Sequence, residues 1–264
     1  MSQTAQGVKM NQKKALVTGA SSGIGYVFAG ELAKDGYGVT CVARSEDKLQ
    51  NLVQALGEGH RLISVDLSDP AQLKKIEQEL SDTKYDLLVN NAGYAIYERF
   101  ENNDLKDYEN LMYLNMNAVV RLSYTFLNSA VSGDALLNVS SALSRLSYPG
   151  GAIYCGTKGF VTCFTESLWY EYKDKGIYVM ALLPGITKTN FHRVASSGVE
   201  RDLPQALAYE PEVVVSEALK TLKNRKLPSF ISGPRYRWLT GFANRILSRK
   251  KIIEMMGKAN PVLQ

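Results

Sequence analysis

The sequence predicts an α/β fold in which a doubly wound, seven-stranded parallel sheet is covered by helices on both faces. Short apolar runs alternate along the chain with longer segments whose apolar residues recur at i, i+3 and i+4. Most of the short runs are apolar at successive positions, which is typical of strands buried on both faces. The length of 264 residues suits one hydrophobic core. No repeat or low-complexity linker indicates a second domain.

Strands and helices are predicted to alternate from the first apolar run onward. The predicted strands are Lys14–Thr18, Gly38–Ala43, Arg61–Val65, Asp86–Asn90, Ala135–Val139, Tyr178–Leu183 and Ser229–Ile231. The predicted helices are Ile24–Lys34, Glu46–Leu56, Ala71–Leu80, Leu105–Asn128, Tyr154–Lys173 and Glu212–Lys223. We expect residues 1–13 to be disordered and 14–232 to form a single domain. Within that domain, 186–211 has no clear periodicity, and a loop of this length usually forms a lid or binding loop.

The composition excludes several classes of protein. With 45% hydrophobic and 22% charged residues the chain is an ordinary globular protein. Cys41, Cys155 and Cys163 form no CxxC pair, and His60 and His192 lack ligand spacing, so neither a disulfide framework nor a metal site is expected. No apolar run is long enough for a membrane span or a secretory signal, which favours a cytoplasmic protein.

The positive charge is concentrated in the C-terminal tail, residues 233–264. The net charge of the chain is +5, and residues 235–264 contribute +6 of it. The rest is nearly neutral, so nucleic-acid binding is not expected. Apolar residues at helical spacing predict a basic amphipathic helix over Arg235–Met256. Such a helix suits packing on the domain or on a second subunit, which we favour, and also suits an anionic membrane surface.

A glycine-rich turn follows the first strand. Gly19-Ala20-Ser21-Ser22-Gly23-Ile24-Gly25 leads directly into a helix. Glycines permit positive φ and a close approach of the backbone to a ligand, and a helix N-terminus attracts anions. In doubly wound sheets the first strand-to-helix turn holds the diphosphate of a dinucleotide. The turn therefore predicts a dinucleotide site.

Four ordered motifs resemble the short-chain dehydrogenase/reductase family. They are TGASSGIG at Thr18–Gly25, NNAG at Asn90–Gly93, Tyr154-x-x-x-Lys158 and Pro184-Gly185. The resemblance spans about residues 13–232 and implies a Rossmann-type sheet of order 3-2-1-4-5-6-7, a nicotinamide cofactor and a homodimer or homotetramer. The cofactor contacts that it implies are Gly19, Ser21, Ser22, Gly23, Ile24, Gly25, Arg44, Asp66, Leu67, Asn90, Ala92, Gly93, Tyr154, Lys158, Pro184, Gly185, Ile186, Thr187 and Thr189.

The end of the second strand bears on the choice of cofactor. A carboxylate there would bind the adenosine ribose and repel a 2′-phosphate, whereas an arginine can pair with that phosphate. In the family, the acid of NAD-specific members aligns with Ala43, and Arg44 follows where NADP users carry a basic residue. We therefore expect NADP(H) to be preferred over NAD(H). The alternative is that Arg44 is an ordinary surface residue.

Tyr154 and Lys158 lie four residues apart in a helical pattern, so their side chains share one face. A phenol is a poor acid or base at neutral pH unless a nearby cation stabilises its phenolate. With Lys158 beside it, Tyr154 can exchange a proton with a carbonyl or alcohol oxygen. The family's serine lies thirteen residues before its tyrosine, which selects Ser141 for the oxyanion and leaves Ser140 a structural role. Asn115 resembles the family's helix-kinking asparagine, although Asn117 is a competing register.

The loops after the strands predict an apolar substrate pocket. Its expected lining is Tyr94, Ile96, Leu143, Leu146, Tyr148, Phe191, Val194, Leu203 and Leu207. This lining favours a lipophilic carbonyl or alcohol over a sugar or a small acid. An NADP(H)-dependent oxidoreductase is therefore the leading hypothesis. The alternatives are a membrane-surface reductase of 3-oxoacyl or sterol-like lipids and a nucleotide-binding scaffold without turnover.

Overall fold

The computed structural model describes residues 12–195, 207–238 and 247–263. Its strands form one parallel sheet of seven strands, in the order β3-β2-β1-β4-β5-β6-β7. The strands are Lys14–Thr18 (β1), Gly38–Ala43 (β2), Arg61–Ser64 (β3), Leu87–Asn90 (β4), Ala135–Val139 (β5), Tyr178–Leu183 (β6) and Ser229–Ile231 (β7). This confirms the predicted fold class and strand order. The predicted disorder of 1–13 falls mainly on residues outside this description.

The helices cover both faces of the sheet. They are Gly23–Lys34 (α1), Glu46–Leu56 (α2), Pro70–Asp82 (α3), Leu105–Met112 (α4), Val119–Ser129 (α5), Ala152–Tyr172 (α6), Phe191–Ala195 (α7), Pro211–Asn224 (α8) and Arg249–Ala259 (α9). On one face α1, α2 and α8 pack on alternate strand residues such as Ala15 and Val17. On the other face α3 and α5 pack on residues such as Leu16 and Leu88. This alternation buries both faces, as the period of two along a strand requires.

The predicted helix Leu105–Asn128 is interrupted. Between α4 and α5 the chain forms a π-helical segment, Tyr113–Ala118. Such a segment accommodates an extra residue without breaking the helix and is frequent at functional sites. The interruption places Asn115 fully inside the protein, while Asn117 is exposed. This burial favours Asn115 over the competing register.

The C-terminal tail departs from the prediction of one continuous helix over Arg235–Met256. Residues 234–238 are helical, but Ser248 has extended backbone angles (φ −64°, ψ 149°), and its side chain accepts a hydrogen bond from the backbone N–H of Lys251. Ser248 therefore caps a separate helix, α9, because a serine hydroxyl satisfies N–H groups that a helix start leaves unbonded. The intervening residues 239–246 lie outside the described parts of the chain.

The predicted lid, 186–211, is described only in part. Thr187 forms a parallel bridge with Tyr209, and Phe191–Ala195 forms the short helix α7. Residues 196–206 lie outside the description. A search of the described residues finds no helix that is long and apolar enough to span a bilayer.

Candidate active site

The glycine turn closes tightly at the carboxyl end of β1. Gly19 and Gly23 have positive φ values of 67° and 55°, where a side chain would be strained. A Cβ atom on Gly25 would lie 2.3 Å from the carbonyl oxygen of Gly19. Only glycine therefore fits at Gly25 without moving the turn, and the backbone is free of side chains where a diphosphate would approach.

Asn91 holds this turn in place, and sequence reasoning missed it. Its Nδ2 donates to the carbonyl oxygens of Thr18 and Gly19, at 3.0 and 3.3 Å. The Oγ1 of Thr18 accepts in return from the backbone N–H groups of Asn91 and Ala92, at 2.9 and 3.0 Å. The signal for Asn91 is its place in the NNAG motif, whose other residues, Asn90, Ala92 and Gly93, are the predicted cofactor contacts.

The start of α1 is open to an anion. In the described structure no side chain caps this helix at Ser22, and its first turn has no acidic residue. A helix start in this condition offers N–H groups and a positive dipole end to a phosphate. A cleft of about 620 Å³ lies beside it, lined by Ser22, Gly23, Tyr26, Val27, Lys188, Thr189, Asn190, Pro211 and Glu212. The glycine cradle and this helix start fit the diphosphate of a nicotinamide dinucleotide.

The segment after β6 faces the glycine turn. A Cβ on Gly23 would lie 3.1 Å from Cγ2 of Thr189, so the two predicted contacts are neighbours. The Pro184 carbonyl accepts from the N–H of Ala142, which joins this segment to the end of β5. The ring of Tyr236 lies against Gly185, where a Cβ would come within 2.1 Å of it. Thr187 is buried, and its hydroxyl donates to the Gly185 carbonyl at 3.1 Å.

Arg44 and Asp66 meet where the adenosine end of the cofactor is expected. The Nη1 of Arg44 lies 3.8 Å from Oδ2 of Asp66, and the Arg44 side chain is 75% exposed. Asp66 is held by Ser68, whose N–H and hydroxyl both donate to Oδ1. Ala43, directly before Arg44, is buried. An exposed pair of this kind contributes little to stability, so the guanidinium can re-pair with a phosphate at small cost.

Tyr154, Ser141 and Lys158 meet below the carboxyl ends of β4 and β5. All three are at least 92% buried, and Ser141 lies near enough to Tyr154 to lower the pKa of its phenol. The Lys158 Nζ lies 5.9 Å from the Tyr154 ring centroid and donates to the Val139 carbonyl at 2.9 Å. The structure thus brings together the serine, tyrosine and lysine that the motifs singled out. Ser140 instead bonds the Lys158 carbonyl and the Thr162 hydroxyl, in keeping with a structural role.

Asn115 connects the π-helical segment to this group. Its Nδ2 donates to the Tyr94 carbonyl at 3.0 Å and to the Thr157 hydroxyl at 3.1 Å. A Cβ on Gly93 would lie 2.9 Å from Oδ1 of Asn115 and 3.4 Å from Nζ of Lys158. Gly93 therefore gives Asn115 and Lys158 room to approach each other. The Asn90 side chain lies deeper and donates to Asn138 and Ser123.

Burial shifts the ionisation of both catalytic candidates. It raises the pKa of Tyr154 well above its usual value, while the hydrogen bond from Ser141 lowers it. Burial lowers the pKa of Lys158 to about 8. Desolvation disfavours the charged form of each group. Lys158 still carries its charge at neutral pH, and Tyr154 keeps its proton until a cation or a substrate oxygen compensates.

An aromatic cluster surrounds the Tyr154 ring. The ring centroids of Tyr97 and Phe191 lie 5.9 and 5.8 Å from that of Tyr154, and Tyr148 lies 5.7 Å from Tyr97. Leu143 packs on the same cluster. Three predicted lining residues, Leu143, Tyr148 and Phe191, therefore belong to the cluster that contains Tyr154, whereas the Val194 side chain and Leu203 lie outside the described parts. Within residues 12–195, 207–238 and 247–263, no group of three His, Cys, Asp or Glu could hold a metal ion.

Comparison with solved structures yields close matches over most of the chain. A short-chain dehydrogenase from Sphingobium yanoikuyae in complex with NADPH is 31% identical with a TM-score of 0.78, over 88% of this chain and 93% of that one. The bulky-bulky ketone specific alcohol dehydrogenase from Comamonas testosteroni is 28% identical with a TM-score of 0.74, over 89% and 94%.

Sequence comparison gives the same family. The very-long-chain 3-oxoacyl-CoA reductase of Mus musculus is 33% identical over 247 residues, which are 89% of this chain and 75% of that protein. The family description "short chain dehydrogenase" matches residues 13–199. Together with the sheet order, the glycine turn and the buried tyrosine and lysine, these matches establish that the chain belongs to the short-chain dehydrogenase/reductase family of oxidoreductases.

Proposed function

We propose that this oxidoreductase transfers hydride between NADP(H) and a lipophilic carbonyl or alcohol, with Tyr154 as the acid and base. The observation that carries the proposal is the buried Tyr154, with Ser141 and Lys158 next to it and aromatic rings around it. A water-excluding site with one proton donor and one oxyanion partner suits reversible reduction of a carbonyl.

The chain's own residues handle the proton and the oxygen. When bound, the nicotinamide supplies the hydride for reduction or accepts it in oxidation. Tyr154 donates its phenolic proton to the substrate oxygen as negative charge develops there, and Ser141 holds that oxygen by a hydrogen bond. The Lys158 ammonium stabilises the phenolate that remains. Asn115 fixes the backbone around Tyr94, at the entrance to the loop that follows β4.

The cluster around Tyr154 supports a lipophilic substrate. Tyr97, Tyr148, Phe191 and Leu143 offer apolar surface next to the reacting group. Pockets of this kind bind by burial of apolar area and use a few polar groups for orientation. An assay of NADPH oxidation against a panel of lipophilic aldehydes and ketones, with sugars and hydroxy acids as controls, tests the proposal. Turnover confined to the polar controls would contradict it.

Arg44 supports the preference for NADP(H). Replacing it with Ala is expected to weaken NADPH binding by about 1.5 to 3 kcal/mol, the range for a hydrogen bond to a charged group, and to leave NADH binding nearly unchanged. Fluorescence titration with both cofactors measures this. The exposed Lys48, on α2, offers a control for loss of one positive charge through Lys48→Ala. Equal losses for NADPH and NADH would mean that Arg44 does not bind the 2′-phosphate.

A second candidate is a reductase of 3-oxoacyl lipids at a membrane surface. The observation is the 33% identity to the Mus musculus very-long-chain 3-oxoacyl-CoA reductase. Against docking through the tail, its residues 247–263 contact the domain at Ser147 and Pro149. Co-sedimentation with anionic liposomes at about 150 mM salt, where surface charge is well screened, separates the two candidates. A salt-sensitive pellet, together with a preference for 3-oxoacyl thioesters over simple ketones, would favour the second.

A cytoplasmic homodimer or homotetramer is the assembly that we propose. Exposed aromatic residues on α5 and α6 support association: Tyr124 and Tyr170 are 69% and 64% exposed, and Phe160 is 41% exposed. Large apolar side chains exposed on two helices suit a subunit contact if they form one patch. Sedimentation velocity of the purified protein measures the assembly.

A further inference from the structure

The last four described residues, Asn260–Leu263, are hydrogen-bonded to the loop that follows β5. We call them the C-terminal strap. Asn260 is fully buried. Its Nδ2 donates to the Pro149 carbonyl at 2.7 Å, and its Oδ1 accepts from the N–H of Val262 at 3.1 Å. A Cβ on Gly150, whose φ is +80°, would lie 2.3 Å from that Nδ2, so only glycine leaves room for the amide.

A second anchor joins the strap to the loop after β4, and two backbone hydrogen bonds join that loop to the loops after β5 and β6. Nη2 of Arg99 donates to the Leu263 carbonyl at 2.8 Å. The N–H of Glu98, the residue before Arg99, donates to the Gly150 carbonyl at 2.9 Å, and the N–H of Tyr97 donates to the Ala195 carbonyl at 2.8 Å. The loops after β4, β5 and β6 and the strap therefore form one bonded unit around Tyr154.

Val262 brings apolar surface to this unit. It packs on the cluster of Ala95, Tyr97, Tyr154, Cys155 and Ala195. Among the described residues that follow Ala195, Val262 is the only one in this cluster. A buried amide that is bonded on both sides is costly to displace, because its groups would lose their partners. Asn260 thereby fixes where Val262 lies.

We propose that Val262 forms the outer wall of the substrate pocket and limits the size of the substrate, and that Asn260 is its positioning residue. This inference rests on the proposed reduction of lipophilic carbonyls. It assigns the tail, within the described residues, a part in specificity. The substrate class that this wall selects is a carbonyl compound whose apolar group is long enough to contact Val262 but not to extend past it.

The role of Val262 as a wall is tested by the ratio of kcat/KM values for a long and a short substrate. For a long aryl alkyl ketone against a short one, Val262→Ala is expected to raise the ratio of kcat/KM values about tenfold, the effect of one or two methyl groups in an apolar pocket. Val262→Trp should lower the same ratio. Met255→Ala, at an exposed position on α9, is the matched control and should leave it unchanged. An active enzyme with the same ratio in both Val262 variants overturns the proposal.

A double variant tests the positioning role. Asn260→Ala should shift the ratio in the same direction as Val262→Ala, and the two changes together should give less than the product of the single effects, because both act through the same wall. A structural role alone would lower thermal stability and leave the ratio unchanged. Independent, multiplicative effects would likewise exclude Asn260 as the residue that positions Val262.

A measurement without turnover separates failure of the wall from failure of the proposed function. Cys155 is 8% exposed within the cluster, Cys41 is fully buried in the sheet, and Cys163 is exposed. In a Cys163→Ser background, truncation after Ala259 should raise the rate at which iodoacetamide alkylates Cys155 about tenfold. Mass spectrometry measures this rate. If the enzyme reduces no carbonyl compound, the proposed function fails. An unchanged rate of Cys155 alkylation after truncation would overturn the role of Val262 as a wall as well.

Discussion

Tyr154→Phe is expected to lower turnover by about 10²- to 10⁴-fold, the usual cost of losing a general acid, and to leave NADPH affinity nearly intact. The change removes only the hydroxyl. The ring contacts with Tyr97 and Phe191 remain, so the pocket keeps its shape. Steady-state kinetics with NADPH and a reactive ketone, together with a cofactor titration, measure both quantities.

Tyr148 supplies the control for this prediction. Its ring lies in the same aromatic cluster, 5.7 Å from that of Tyr97, but it belongs to the loop after β5 rather than to α6. Tyr148→Phe should retain turnover within a few-fold. Full activity in Tyr154→Phe, or equal losses in the two variants, would show that the proton comes from another group.

Lys158→Met is expected to lower turnover by about 10²-fold or more and also to weaken cofactor binding. Met keeps the length of the buried side chain but removes the ammonium, and with it the charge that stabilises the Tyr154 phenolate. Loss of cofactor affinity is expected because the family resemblance gives the lysine a contact with the nicotinamide ribose. Lys220→Met, at an exposed position on α8, is the control for loss of one charge.

The same variant predicts a change in how stability depends on pH. The pKa of Lys158 is about 8 in the folded protein, below its ordinary 10.5. Between these values the unfolded chain binds more protons, so this lysine makes the free energy of unfolding rise with pH. From pH 7 to 9.5 the wild type should gain about 2 kcal/mol relative to Lys158→Met. Urea unfolding at the two pH values measures this gain, and a constant difference would contradict it.

The sheet could be predicted nearly residue by residue because its strands are short apolar runs bounded by Gly, Asn or charged residues. Five of the seven predicted strands, β1, β2, β5, β6 and β7, match at both ends, and β3 and β4 differ by one residue at one end each. Burial of both sheet faces leaves a pattern that no other element shares. The glycine turn, the NNAG motif, Ser141 and Pro184-Gly185 could be located equally well because each lies at the end of a strand, and Tyr154 and Lys158 could be located by their spacing within a helix.

The remaining features depend on contacts that leave no local pattern. A π-helical segment at Tyr113–Ala118 has the same apolar composition as the α-helices on either side, so periodicity indicates one helix. The Asn260 amide bonds the Pro149 carbonyl, 111 residues away in the sequence. Asn91 acts through backbone atoms of another strand end. The break at Ser248 could have been found, because a serine before a helix start is a known cap.

The π-helical segment has a consequence for changes in chain length. Each residue of an α-helix turns the chain by about 100°, so an extra residue in a regular helix would rotate α4 by that angle relative to α5, whereas the wider turn at 113–118 absorbs it. The buried faces of the two helices, with Tyr108 and Leu111 on α4 and Leu122 and Phe126 on α5, therefore both point inward. Both flanking helices hold the extra residue in place. Insertion of a further residue into 113–118 is therefore expected to turn one of these buried faces toward solvent, because the wider turn already holds its one extra residue.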